Sequence, residues 1–124
     1  MPVERTIAQL LLASAEQDLA ACELLADSQQ ISDAMVGFHA QQAVEKAIKA
    51  VLSRHGVETR RTHDLITLLD ALQDHQIGAP PGADTLDELN PYAVEARYGT
   101  IEPTGLDRAK VLQQVRDVLA WAQH

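Results

Sequence analysis

Residues 38–52 read FHAQQAVEKAIKAVL. At ~100° per residue, Val36, Ala40, Ala43, Val44, Ala47 and Val51 fall on one face of a helix, and none of them is large. Such a face lets a second helix approach closely, ridge into shallow groove. The opposite face carries Met35, Phe38, His39, Gln42, Glu45, Lys46 and Lys49. Large apolar groups interleaved with His, Gln, Glu and Lys point to a helix covered on both sides, with a polar network inside one contact. The plainer alternative makes Glu45 and Lys49 an exposed i,i+4 pair worth ~0.3 kcal/mol.

Outward from this helix, the pattern predicts an all-α bundle in a single domain, residues 1–124, without a sheet. A first helix is expected from about Val3 to Ala26. Its stripe contains Ile7, Leu11, Ala15, Cys22 and Leu25, widened by Leu10 and Leu19. The second runs from about Ile31 to His55, capped by Ser28 or Ser32 and stopped by Gly56. The third runs from about His63 to His75, with Thr62 as N-cap and Leu65, Leu68, Leu69 and Leu72 inward. IGAPPGAD, residues 77–84, is a loop. A turn at Thr85–Leu89 precedes a helix at Pro91–Tyr98, with Asn90 as N-cap and Pro91 in the first helical position. The last helix starts behind Thr104, which with Asp107 resembles a capping box. It turns Val111, Val115, Val118, Leu119 and Ala122 inward.

Composition limits function. The chain of 124 residues has 10 basic and 18 acidic residues, a formal charge of −8. That balance disfavours nonspecific nucleic-acid binding, which rests on basic surface. No apolar run is long enough to span a membrane. With no leader visible and Cys22 as the single cysteine, a reducing cytoplasm is the expected compartment. The histidines show no i,i+3 or i,i+4 pair, and no HExxH, Walker A or GxGxxG motif is present. No metal or cofactor is therefore expected. Lys46, Lys49, Arg54, Arg60 and Arg61 concentrate half of the basic charge in residues 46–61. This is either a solvated helix end or an anion- or partner-binding patch.

Asp18 breaks the apolar stripe of the first helix. A carboxylate there needs a partner, because losing its water costs several kcal/mol. Lys46, Lys49, Arg97 and His39 are the candidates, and a structural ion pair fixing helix register is the favoured role. Arg97 and Tyr98 close the segment EARYG. The guanidinium can grip a carboxylate or phosphate with two hydrogen bonds, and the ring can stack on a base or fill the core.

These pieces, in this order, resemble the HEPN domain family. AEQDLAACELL (15–25) resembles the family's first helix, FHAQQAVEKAIKAVL its second, THDLITLL (62–69) its third and EARYG (95–99) its fourth. Asp18, Gln42, Lys46, Arg97 and Tyr98 match family positions. The resemblance implies an up-and-down bundle of four or five helices, usually a homodimer. It also implies a prokaryotic setting, often beside a minimal nucleotidyltransferase in a toxin–antitoxin pair. Other members are metal-independent ribonucleases carrying an Arg, then four to six residues, then a His near the start of the last helix. Here Glu102, Pro103 and Thr104 stand where that His would fall after Arg97, and no His follows until His124. The resulting expectation is a noncatalytic homodimer with no catalytic residues. It would bind a nucleotidyltransferase, a nucleotide or RNA through candidates Arg97, Tyr98, Lys46, Lys49, Gln42 and His39. The alternatives are an RNA-cleaving toxin with a degenerate motif and a structural scaffold.

Overall fold

The computed structural model describes residues 6–59, 61–93 and 105–124. The chain is an all-α, up-and-down bundle with five helical elements among the described residues. In order they are α1 (Ile7–Ala26), α2 (Asp33–Arg54), α3 (Leu65–Asp74), a 3-10 helix (Ala83–Ala93) and α4 (Arg108–Ala122). No strand occurs among the described residues. No helix among them is long and apolar enough to cross a membrane.

α2 is the axis of the bundle and touches every other element. Its small-residue face, Val36, Ala40, Ala43, Val44, Ala47 and Val51, is buried, as are Ile48 and Leu52 beside it. α4 turns in the five residues that its periodicity predicts. The stripe of α1 is only partly buried. Ala15 and Cys22 are fully enclosed, but Ile7 is 58 % and Leu10 53 % exposed. Leu10 lies on the side of α1 turned away from Ala15 and Cys22, whereas Ile7 loses its cover because α2 stops opposite it. There Gly56, at φ +78°, turns the chain away, leaving a cavity of ≈ 330 Å³ between Ile7, Leu11, Val57 and Thr59.

Caps explain where the helices begin and end. Thr6 and Gln9 form a reciprocal capping box at α1, and Ser32 caps α2. α3 is capped by Asp64, not by Thr62. A carboxylate serves better there: it accepts from Ile66 N–H at 2.9 Å and from Thr67 Oγ1 at 3.1 Å at the positive end of the helix dipole. Slight burial pushes its pKa up, but the hydrogen bonds from Ile66, Asn90 and Thr67 outweigh that and hold it below the usual range. Asn90 does not start a helix. Pro91 lies inside the 3-10 helix, whose φ matches the fixed proline angle. The Asn90 side chain instead accepts from Leu65 N–H at 2.8 Å and donates to Asp64 at 2.9 Å, so it completes the α3 cap. The rest of the expected Pro91–Tyr98 helix, from residue 94, lies outside the described residues, as does Thr104. Asp107 itself caps α4, accepting from Lys110 N–H at 3.1 Å.

α2 and α3 end alike. Val57 N–H reaches Leu52 O at 2.9 Å and Ile77 N–H reaches Leu72 O at 2.8 Å, the six-to-one bond of a Schellman motif. The left-handed residue is Gly56 in the first case but Gln76, at φ 59°, in the second. One arginine organises the other end of the bundle. Arg108 Nε donates to Asp33 at 2.8 Å, and its Nη atoms donate to the carbonyls of Leu25, Ala26, Ser28 and Ile31. It thereby ties the α1–α2 turn to α4.

Two substitutions test these placements. Gly37 lies under the ring of Tyr92; an added Cβ would stand 2.6 Å from its Cγ and Cε1. Gly37→Ala should lower stability by ~1–3 kcal/mol through overpacking, against the usual helix-propensity gain of ~1 kcal/mol. Gln76→Gly should raise stability by ~1 kcal/mol by relieving a left-handed side chain. Urea melts of the two variants read both effects.

Candidate functional site

The polar side chains of α2 form two clusters. The first lies between α1 and α2. Ser14 and Asp18, one turn apart on α1, face His39 and Lys46, two turns apart on α2. Lys46 Nζ donates to Asp18 Oδ2 at 2.7 Å and to Ser14 Oγ at 2.9 Å, and His39 Nδ1 lies 3.1 Å from Asp18 Oδ1. The Asp18 side chain is 14 % exposed, with His39 and Lys46 each at 25 %. The carboxylate that interrupts the stripe of α1 thus meets a cation and an imidazole from the next helix. Arg97, another of the candidate partners, and Tyr98 lie outside the described residues.

The second cluster is deeper. Glu45 and Lys49 are buried, and their charged groups pair at 3.0 Å. Glu45 also accepts from Gln41 Nε2 at 3.0 Å and has His63 Nδ1 at 3.1 Å. Gln41, fully buried, donates further to the His63 carbonyl, and Gln42 Nε2 donates to Gln41 Oε1 at 2.7 Å. The pair is therefore enclosed, not a solvated i,i+4 pair. Gln41 and His63 were not expected as its partners. The signal was present: Glu45 falls on the helical wheel beside Ile48 and Leu52, at the border of the apolar arc.

These contacts leave α2 enclosed around most of its circumference. Met35, Phe38, His39, Gln42 and Lys46 form the arc that stays partly or fully open. Of the binding candidates, His39, Gln42 and Lys46 lie on that arc, and Lys49 lies inside the bundle. The Cys22 thiol does not join either cluster. It donates to the Val36 carbonyl at 3.3 Å, and burial together with the charges of Asp18 and Glu23 pushes its pKa up to about 12. Among the described residues no group of three or more His, Cys, Asp or Glu side chains is placed to hold a metal ion.

Depth ranks the two clusters energetically. Glu45→Ala leaves Lys49 buried without its carboxylate and should cost ~3–5 kcal/mol. Asp18→Ala leaves Lys46 a route to water and should cost less, ~1–3 kcal/mol. Equal losses in chemical denaturation would refute this ranking.

The HEPN domain family model matches residues 8–124. A solved structure, that of ST0689, an archaeal HEPN homologue, superposes with a TM-score of 0.69 at 21 % identity. The match covers 98 % of this chain and 97 % of that one. No curated protein matches the chain. With the family match spanning nearly the whole sequence and the bundle agreeing in fold, the chain belongs to the HEPN domain family.

Proposed function

We propose that this HEPN protein is a noncatalytic binding module. In this reading it is a cytoplasmic homodimer that binds a minimal nucleotidyltransferase or a nucleotide, as one half of a toxin–antitoxin pair. The observation that carries the reading is the open arc of α2. Met35, 43 % exposed, begins a strip that continues through Phe38, His39 and Gln42 to Lys46, about 16 Å along the helix axis. Its polar members are already positioned: Asp18 holds His39 and Lys46, and Gln41 holds Gln42. Pre-positioned side chains lose little freedom on binding. An apolar anchor beside them is the composition of a contact surface. Arg97 and Tyr98 are the proposed ligand contacts from the fourth segment.

Chemistry supports the noncatalytic part. Attack by a ribose hydroxyl needs a base for its proton and an acid for the leaving oxygen. Imidazole does both near neutral pH, and none follows Arg97 at the interval that the ribonuclease motif requires. A guanidinium stays protonated and cannot take the role. His39 and His63 have their Nδ1 atoms against Asp18 and Glu45.

Two measurements test the reading. Light scattering at micromolar concentration should give twice the chain mass, and Met35→Glu should give the monomer. A structured RNA should stay intact with wild type and Arg97→Ala alike. A monomeric wild type would remove the homodimer. Robust cleavage lost in Arg97→Ala would establish an RNA-cleaving enzyme instead.

A further inference from the structure

We propose that the groove between α3 and the 3-10 helix is a docking site for an amphipathic helix of a partner protein, apolar on one side and flanked by Lys or Arg. The proposal rests on reading the chain as a binding module but uses a surface separate from the α2 strip. The groove encloses ≈ 500 Å³. Leu72, 1 % exposed, forms its floor, and Leu69, Ile77 and Ala83 form its apolar walls. Ile66, one turn before Leu69 and Asp70 on the same side of α3, extends this surface and is 48 % exposed. From Ile66 to Gln76 the length is about 15 Å, room for two to three turns of a bound helix.

Charge identifies the occupant. Asp70, from α3, and Asp84, from the 3-10 helix, both line the groove. Residues 63–93 contain six acids, Asp64, Asp70, Asp74, Asp84, Asp87 and Glu88, and no Lys or Arg. Asp70, Asp74, Asp84 and Asp87 have no hydrogen-bond or ion-pair partner among the described residues. Three acids elsewhere meet a cation, Asp18 with Lys46, Asp33 with Arg108 and Glu45 with Lys49, whereas Asp70 and Asp84 face the groove without one among the described residues. Two uncompensated carboxylates, Asp70 and Asp84, thus line an apolar depression, and a helix with an apolar stripe and basic flanks complements both features. Nucleic acid is disfavoured, because phosphates meet carboxylates here. A second copy docking through the same face is disfavoured too, because a two-fold contact would set the acidic rim against itself.

The probe is a fluorescent 18-residue Leu/Lys peptide with its leucines on one helical face; a Leu/Glu peptide of the same pattern is the control. Both are titrated into the full chain at moderate salt and followed by anisotropy, with amide chemical shifts locating the contact. Binding of the Lys peptide should be saturable, with shifts concentrated in residues 66–84. Asp70→Asn/Asp84→Asn and Ile66→Ser should each weaken it by about fivefold or more. Glu16→Gln/Asp117→Asn, the same charge change on α1 and α4, should leave it within about twofold. Equal weakening by both charge pairs, shifts elsewhere, binding of the Glu peptide or no saturable binding would each overturn the proposal. The groove variants should leave the light-scattering mass unchanged. A monomer that still binds the peptide in the groove would remove the homodimer and leave this site standing.

Discussion

A carboxylate that is 3 % exposed has to be satisfied by the protein, because water cannot reach it and leaving it unpaired costs several kcal/mol. Glu45 is that group, and its partners extend well beyond α2. Lys49 and Gln41 meet it from the same helix, one turn away on either side. His63 meets it from the segment before α3. The next residue, Asp64, caps α3, and Asn90 grips Asp64 and Leu65 from the 3-10 helix. A continuous polar path therefore runs from the axis of the bundle to its periphery. Apolar packing gives the bundle most of its stability, but it is tolerant of small rotations. The directional contacts around Glu45 fix how α3 and the 3-10 helix sit against α2.

Much of this arrangement was legible in the sequence. The Ala/Val face of α2, the inward residues of α4 and the stop at Gly56 follow from periodicity and backbone preference, which are local properties. The need of Asp18 for a cation followed from its place in an apolar stripe, and Lys46 supplies one. Several departures trace to partners distant in sequence. Thr62 precedes the apolar run, but Asp64 caps it through Ile66 and Thr67, and Asn90, 26 residues beyond, completes the cap. Ile7 continues the stripe of α1, yet its exposure depends on where α2 ends. Arg108 looks like an ordinary first-turn residue, and its carbonyl partners belong to a turn that has no side-chain signature.

Family membership and function part company at the same residues. The fold explains why a small-faced central helix carries His39, Gln42 and Lys46 on one arc: α1 covers part of it, and the rest stays partly open. That arc is a property of architecture and is compatible with several partners. Chemistry is narrower, because it depends on the imidazole that the interval after Arg97 lacks. The acidic flank of α3 adds a second asymmetry, opposite in sign to the basic stretch at the end of α2.

The enclosed thiol has a practical meaning for solution work. Cys22 is the single sulfhydryl of the chain and lies at the α1–α2 seam with no exposure. A reagent can reach it only when that seam parts, so the rate of modification measures the opening of the two longest helices without any engineered label. Covalent pairs seen on a non-reducing gel would likewise record molecules that had opened, not the native association of two folded subunits.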